Sequence, residues 1–335
     1  MPEPCTRLPH HLNPGKALRV GLISNPLSGG NRKGLQAIRD LLVRHPQVFH
    51  LETTTPLDVG EALAELSRRQ AEVVVVNGGD GTVHSVLTEF YHRPWPGQSP
   101  VLALLRAGTA SMIARDVGLS GSRRAALKRL LNWVSSGQGR AVVIQRPILK
   151  VEGAHDQKPL YGMFFGAAGI CQGIRYCLDR VHTKGVGGQL AAGVTLARLL
   201  VASARGDRRL LFPVPVSVGL DGGSQEEREF LLILVSTLER LFLGIRPYWG
   251  TEIAPLYYTA LTFHPRHLLK TAPTLLCGKK SRFGTPEHGY HSHKIQAARL
   301  TFNGDFTLDG ELYTPDARSN PITVTEGGKA SFLKL

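Results

Sequence analysis

The stretch Val73–Thr82 (VVVVNGGDGT) decides the fold of the first part of the chain. Four consecutive valines form an apolar, β-branched run, which is typical of a strand buried on both faces of a parallel sheet. The glycines and the Asp-Gly pair after the valines predict a tight turn, and Val83–Phe90 continues with helical spacing. The stretch therefore predicts a buried strand that leads through a glycine-rich turn into a helix.

The same alternation of strands and helices extends on both sides of this stretch. Further strands are predicted at residues 18–24 and Val101–Leu105, and helices at residues 33–44, 59–69, 110–117 and 123–135. Strands that alternate with helices indicate a doubly wound parallel sheet with helices on both faces. We therefore expect an N-terminal α/β domain.

After Gly137-Gln138-Gly139 the pattern changes to short strands separated by turns. The predicted strands are Ala141–Val151, Leu160–Phe165, Leu210–Val218, Phe230–Thr237, Tyr257–Phe263, Ala298–Phe302 and Phe306–Leu308, and one helix at residues 186–204 interrupts them. This succession predicts a second, mainly antiparallel domain that resembles a β-sandwich.

The composition describes a basic globular protein. The 335 residues include 40 Lys and Arg against 26 Asp and Glu, a formal net charge of +14. Such an excess attracts nucleic acid, nucleotide phosphates or an anionic membrane surface, and it also fits a merely basic solvated surface. The charge alone does not choose among these interpretations.

Cysteine usage and hydropathy bear on location. The four cysteines have no CxxC spacing, which favours free thiols in a reducing cytoplasm. No apolar run approaches the roughly 20 residues that a membrane span needs, and the first residues lack the apolar core of a signal peptide. We expect a cytoplasmic protein that contacts membranes only from outside.

Three glycine-bearing turns each follow a predicted strand and precede a predicted helix. We call them the first loop (Asn25–Gly30, NPLSGG), the second loop (Asn77–Thr82, NGGDGT) and the third loop (Ala107–Ser111, AGTAS). Strand ends gather at one edge of an open parallel sheet, where glycines let the backbone approach a phosphate and helix-start N–H groups face it. One such turn would be an ordinary structural feature. Three predict a site for nucleotide phosphates.

Two common nucleotide-binding motifs are missing from the sequence. GxxxxGK[ST] occurs nowhere, so the predicted site is not a P-loop. The first loop also lacks GxGxxG, which argues against a dinucleotide bound as a redox cofactor.

Four motifs in this order resemble the diacylglycerol kinase catalytic domain family, which includes sphingosine kinases and bacterial soluble lipid kinases. They are Asn25-Pro26-Leu27-Ser28-Gly29, Gly78-Gly79-Asp80-Gly81-Thr82, Gly108-Thr109 and Asp309-Gly310-Glu311. GGDGT is shared with NAD kinases, whereas the late Asp-Gly-Glu after a β-rich domain favours the lipid branch. The similarity in order and spacing extends from about residue 18 to residue 335.

The resemblance implies a two-domain kinase that uses ATP and Mg²⁺. It divides the chain into an extension (1–17), a nucleotide-binding domain (18–139), a lipid-binding domain (140–314) and a segment returning to the first domain (315–335). By similarity, the residues that hold the nucleotide are Asn25, Pro26, Ser28, Gly29, Thr55, Gly78, Gly79, Asp80, Gly81, Thr82, Gly108 and Thr109.

Three carboxylates are the catalytic candidates. Similarity makes Glu311 the group that orients or deprotonates the acceptor hydroxyl, and Asp309 its neighbour near magnesium and phosphate. Asp80 is a candidate for a magnesium ligand through water, for direct action on the hydroxyl, or for an N-cap of the helix near Thr82. An Asp-Gly pair is also an ordinary hairpin-turn signal.

Several positions depart from the family pattern. His84 and Ser85 stand where an Asn-Glu pair usually follows GGDGT, and Ser111 and Met112 stand in place of Asn-Asp. Ala254–Leu256 replaces an Asp-Gly associated with a magnesium site in bacterial relatives. These changes bear on the base preference, the acceptor and the activity itself.

The functional expectation is an ATP-dependent kinase of a diacylglycerol-like or related lipid. We expect the lipid and a peripheral membrane surface as partners, no nucleic acid, and an assembly compatible with a homodimer. The alternatives are a catalytically inactive relative that binds lipid or nucleotide, and a kinase of a soluble acceptor.

The histidines of Glu287–Lys294 (EHGYHSHK) raise the question of a transition-metal site, because imidazole is a common ligand. The segment lacks metal-site spacing. We interpret it as a solvent-exposed loop.

Overall fold

The structure is a computed structural model. It describes residue 12, residues 18–154, residues 158–176, residue 198, residues 212–316 and residues 321–335. The predicted helix at residues 186–204 therefore lies outside the described residues, except for residue 198.

The chain forms two compact units. Unit 1 comprises residues 1–146 and 329–335, and unit 2 comprises residues 147–328. Both points of division lie inside long strands, Val142–Glu152 and Ile322–Lys334. The first division comes later in the chain than the boundary after Gly139 that the change of sequence pattern suggests.

Unit 1 is the predicted α/β fold. Its strands are β1 (Val20–Ser24), β2 (Phe49–Glu52), β3 (Val73–Gly78), β4 (Val101–Arg106) and the start of β5 (Val142–Glu152), and its helices are α1 (Gln36–Val43), α2 (Pro56–Arg68), α3 (Asp80–His92), α4 (Met112–Asp116) and α5 (Arg123–Ser136). The order β2-β1-β3-β4 is parallel throughout. Phe332, near the C-terminal end of β15 (Ile322–Lys334), pairs in parallel with Leu102 of β4.

Helices cover the sheet of unit 1 on both faces. Leu22 of β1 shares a buried cluster with residues of α1 and α5. Leu66 of α2 packs on the opposite face of the sheet, directly against the neighbouring Gly21, because successive residues of a strand face opposite sides. The four valines of β3 are fully buried, as expected for the central strand of such a sheet.

Unit 2 is mainly antiparallel, as the sequence predicts. Beyond the parts of β5 and β15 that lie in it, its elements are β6 (Leu160–Gly162), β7 (Phe164–Ala168), α6 (Gly169–Tyr176), β8 (Val214–Leu220), β9 (Glu226–Ser236), β10 (Leu256–Thr262), α7 (Leu268–Leu276), β11 (Tyr290–Ile295), β12 (Ala297–Phe302), β13 (Phe306–Leu308) and β14 (Glu311–Tyr313). The order is β14-β13-β7-β9-β8-β12-β15, and β10 joins β9 to β11. Side chains from most of these strands share one core.

Three expectations for unit 2 need correction. The predicted strand Leu160–Phe165 is two strands, because the turn at Met163 separates β6 from β7. The predicted exposed loop around Tyr290 is strand β11, which pairs with β10 and buries Tyr290, Ser292 and Ile295. The predicted strand from Leu210 has its described part at Val214–Leu220.

Within the described ranges, no helix is both long and apolar enough to cross a membrane.

Candidate functional site

The three loops meet at the carboxyl edge of the unit 1 sheet. The first follows β1, the second includes the end of β3, and the third follows β4. These strands are consecutive neighbours in the order β1-β3-β4. The parallel arrangement therefore brings together three loops that lie far apart in the sequence.

Direct hydrogen bonds join the first and second loops. The backbone N–H of Asn25 donates to the carbonyl oxygen of Asn77 at 3.1 Å, and the Asn25 Nδ2 donates to the Thr82 Oγ1 at 3.1 Å. The backbone N–H of Gly79 donates to the Ser28 Oγ at 3.2 Å. Asn25, Ser28 and Thr82, all predicted to bind nucleotide, thus also hold the loops in place.

The third loop touches both of the others. The backbone N–H of Gly30 donates to the carbonyl oxygen of Ala107 at 2.8 Å. A Cβ on Gly108 would lie 2.5 Å from the Cα of Gly79, and a Cβ on Gly29 would lie 2.9 Å from the Thr109 Oγ1. A side chain on Gly108 would collide with the backbone of Gly79, whereas one on Gly29 would require the Thr109 side chain to move. The glycines therefore allow the loops to approach one another closely.

Asp80 connects the second loop to the helix that follows the third. Its Oδ2 accepts from the backbone N–H of Met112 and its Oδ1 from that of Ile113, both at 2.9 Å. The predicted N-cap of its own helix is wrong, because Asp80 is the first residue of α3 and Gly79 is the N-cap. Burial raises the pKa of Asp80, and the bonds from Met112 and Ile113 oppose that rise.

The N-terminus of α3 presents backbone donors at this edge of the sheet. The first amides of a helix have no intrahelical acceptors, so those of Asp80, Gly81 and Thr82 are available at the first turn. The N-cap residue, Gly79, has no side chain that could accept a hydrogen bond from these amides. The positive end of the helix dipole adds to the attraction for an anion.

Two arginines add positive charge beside the third loop. The Arg115 Nε donates to the carbonyl oxygen of Ala110 at 3.3 Å, and Arg106 is the last residue of β4. Burial and the nearby Arg115 charge lower the pKa of Arg106, but an arginine remains protonated at any physiological pH. The surroundings of the loops therefore favour a polyanionic ligand.

Thr55 has a structural role in this fold. It is the N-cap of α2, where its Oγ1 accepts from the backbone N–H of Asp58 at 3.2 Å. The Asp58 carboxylate accepts in return from the N–H groups of Thr54 and Thr55. These bonds hold the pKa of Asp58 well below its usual range.

Asp309 and Glu311 belong to unit 2, at the hairpin between β13 and β14. Asp309 is buried, and its carboxylate accepts from the backbone N–H groups of Met163 at 3.1 Å and Phe164 at 2.9 Å. Its backbone has the left-handed φ of 53° that the turn requires. Glu311 is exposed and pairs with Leu308 in the hairpin.

Three of the residues that depart from the family pattern have defined local environments in unit 1. His84 is buried within α3, and the Ser85 Oγ donates to the carbonyl oxygen of Gly81 at 3.0 Å. Ser111 has a left-handed φ of 47° and donates through its Oγ to the carbonyl oxygen of Gly108. Ser111 therefore shapes the end of the third loop.

Comparison with known proteins finds a family model that matches most of the first unit. Residues 19–138 match the model of the diacylglycerol kinase catalytic domain. The match contains all three loops, and the predicted resemblance is confirmed.

Two curated relatives match parts of the chain. An Enterobacter sp. (strain 638) protein named "Probable lipid kinase YegS-like" is 30% identical over 124 residues, which are 37% of this chain and 40% of that protein. A Caenorhabditis elegans protein whose name includes the words diacylglycerol kinase is 35% identical over 99 residues, which are 29% of this chain and 10% of that protein. The chain thus spans well under two thirds of the relatives it matches.

A solved structure resembles both units of the chain. It is a crystal structure of a protein from Bacillus anthracis str. Sterne, whose name includes diacylglycerol kinase. The TM-score is 0.62 at 19% identity, and the match covers 94% of this chain and 96% of that one. The likeness shows the two-domain fold.

Two residues that hold the loops together escaped the sequence interpretation. Asn31 and Arg123 form a hydrogen-bonded pair beside the first loop. Asn31 follows a glycine-rich turn, where an amide side chain is a common turn residue. Arg123 lies 92 positions further on, and its contact with the loop has no local sequence signal.

Proposed function

We propose that the chain is an ATP-dependent kinase that transfers the γ-phosphoryl group to the hydroxyl of a diacylglycerol-like or related lipid. The observation that carries the proposal is the meeting of three glycine-rich loops at a helix N-terminus, inside a region that matches the model of the diacylglycerol kinase catalytic domain. Phosphoryl transfer depends mainly on positioning and on neutralising phosphate charge. Backbone amides on a rigid sheet edge are suited to both tasks.

The triphosphate would bind to the amides of the second loop at the start of α3. Ser28, Thr82 and Thr109 offer hydroxyl groups on the three loops, and Arg106 and Arg115 add positive charge. Gly29 and Thr109 are exposed to solvent, so a ligand has access to this edge of the sheet.

Magnesium would accompany the nucleotide. In the described ranges, no three His, Cys, Asp or Glu side chains gather in a way that could hold a metal ion. Mg²⁺ at kinase sites typically takes one or two carboxylates together with substrate phosphates and water. Asp80 fits that limited role, since each of its oxygens keeps a lone pair beyond the amide it accepts.

Glu311 is the proposed proton acceptor for the lipid hydroxyl. It is an exposed carboxylate, free of the backbone contacts that engage Asp309 in the same hairpin. We assign Asp309 the role of fixing that hairpin. In the cell, we propose a cytoplasmic enzyme that works at the surface of a membrane.

The test is transfer of label from [γ-³²P]ATP, with Mg²⁺, to an extracted lipid mixture. We expect label in the lipid phase, and a fall of about 10²–10⁴-fold in Glu311→Ala, the usual range for removing a general base. Glu229→Ala is the matched control, since Glu229 is also an exposed glutamate of unit 2.

The other outcomes separate the alternatives. Label that appears only in the aqueous phase would favour a kinase of a soluble acceptor. Nucleotide binding without transfer to any acceptor would favour a non-catalytic relative. Equal activity of Glu311→Ala and Glu229→Ala would remove Glu311 from the mechanism.

A further inference from the structure

One buried amide joins the start of the first loop to the start of the second. Asn31 is 2% exposed. Its Nδ2 donates to the carbonyl oxygens of Asn25 and Asn77, both at 2.8 Å. Since Asn25 opens the first loop and Asn77 opens the second, a single side chain sets the spacing of the two loops.

Arg123 fixes the orientation of that amide. The Arg123 Nη1 donates to the Oδ1 of Asn31, so the oxygen faces the guanidinium and the NH₂ group faces the two carbonyls. A flipped amide would place donor against donor on one side and acceptor against acceptors on the other. Only one orientation of Asn31 therefore satisfies all three partners.

Two glycines leave room for the guanidinium. A Cβ on Gly30 would lie 3.3 Å from the Arg123 Cζ, and a Cβ on Gly34 would lie 2.6 Å from its Nη2. Burial in this space lowers the pKa of Arg123, although the group stays charged. The backbone around the first loop is thus shaped to accept this one side chain.

The third loop is attached next to the same pair. The backbone N–H of Asn31 donates to the carbonyl oxygen of Ser28 at 2.8 Å, and that of Gly30 donates to Ala107 at 2.8 Å. Asn31 and its neighbour therefore connect to all three loops.

We propose that Asn31 and Arg123 are positioning residues that set the geometry of the three phosphate-binding loops. They act through the backbone of the loops, with Arg123 orienting Asn31 and Asn31 holding the loops at a fixed spacing. The inference rests on the proposed function for its ligand, because the loops are taken to bind a nucleotide. Substitutions that break the contact between Asn31 and Arg123 are expected to raise the Kd for the nucleotide while the chain remains folded.

Asn31→Asp is the decisive variant. It keeps an acceptor for Arg123, but it removes both donated hydrogen bonds and turns an oxygen toward two carbonyl oxygens. Arg123→Gln tests the orienting contact. Its control is Arg129→Gln in the same helix, because Arg129 donates to the carbonyl oxygen and Oγ of Ser120 and touches none of the loops.

The first measurement is the Kd for MgATP by calorimetric titration, at a temperature where circular dichroism shows each variant folded. We expect the Kd to rise about tenfold or more in Asn31→Asp, as the loss of two buried hydrogen bonds implies. A smaller rise is expected in Arg123→Gln and none in Arg129→Gln. A purely structural role would lower the melting temperature and leave the Kd unchanged.

The second measurement is amide hydrogen exchange without nucleotide. We expect faster exchange at residues 25–30 and 77–82 in Asn31→Asp and unchanged exchange there in Arg129→Gln. If Asn31→Asp does not fold, both measurements are made on Arg123→Gln and Arg123→Lys. Because lysine keeps the positive charge, Arg123→Lys should show a smaller change in Kd and in exchange than Arg123→Gln.

The two measurements separate failure of this inference from failure of the proposed function. A wild-type chain that binds no nucleotide would contradict the function, and faster loop exchange in Asn31→Asp would still support the positioning role. A folded Asn31→Asp with wild-type Kd and wild-type exchange would overturn the inference while leaving the function intact.

Discussion

Two Asp-Gly turns, one in each unit, use their aspartates in a similar way. Asp80 of the second loop accepts from the backbone amides of Met112 and Ile113, and Asp309 accepts from those of Met163 and Phe164. Their local backbones differ, since Asp80 opens a helix with first-turn donors, whereas Asp309 has a left-handed φ in a hairpin. The comparison indicates that an aspartate in a family motif can hold backbone segments together, and that its setting decides what else it can do.

The largest expected effect comes from Asp309. Asp309→Ala would leave two buried amides without acceptors and lose hydrogen bonds to a charged group, a cost of about 3–5 kcal/mol of unfolding free energy. Chemical denaturation followed by circular dichroism measures this loss. Asp309→Asn should cost less, because asparagine tolerates the left-handed φ and keeps one acceptor oxygen. A stable, inactive Asp309→Ala would show instead that Asp309 acts in the chemistry.

Asp80 should combine a smaller loss of stability with a loss of binding. Asp80→Ala removes two hydrogen bonds at the start of α4, which are worth about 2–3 kcal/mol together. Because the second and third loops lose their connection, we also expect the Kd for MgATP to rise. An unchanged Kd for MgATP in Asp80→Ala would contradict this prediction and would mean that Asp80, like Asp309, only holds backbone segments together.

Gly108→Ala tests the close contact between the second and third loops. The new Cβ would lie 2.5 Å from the Cα of Gly79, so the backbone must shift, at about 1–3 kcal/mol of stability. Gly29→Ala is the matched control, since its Cβ would meet the Thr109 Oγ1, on a side chain that can rotate. Titration with MgATP should show the larger loss of affinity in Gly108→Ala.

The smallest effect concerns pH. The His50 Nε2 lies 2.9 Å from the Ser24 Oγ at the ends of β2 and β1, and burial lowers the pKa of His50. A histidine with a depressed folded pKa contributes stability that is present above its ordinary value near 6.5 and lost as the pH falls below it. Melting temperatures between pH 7.5 and pH 5 should fall less in His50→Gln than in the wild type.

The fold was largely predictable because its signals are local. The four valines and the glycine turn of Val73–Thr82 predict a strand, a turn and a helix, and the structure has each of them. Strand β11 was missed because its buried residues Tyr290, Ser292 and Ile295 are unevenly spaced and lie among polar histidines, so the sequence shows no regular alternation.

The site was predictable only in part. Glycine motifs identify the loops, but contacts between residues distant in sequence decide what each side chain does. The hydrogen bond from the first amide of α4 to Asp80 and the pairing of Arg123 with Asn31 both depend on the packed sheet. Neither contact therefore has a sequence pattern of its own.

The central claim is that three loops of unit 1 form one site for nucleotide phosphates. Hydrogen exchange of the wild-type chain with and without saturating MgATP tests it most directly. We predict slower exchange at the amides of residues 79–82 and 108–111, where the start of α3 meets the third loop. Exchange that does not change in these segments, or protection confined to unit 2, would contradict the account.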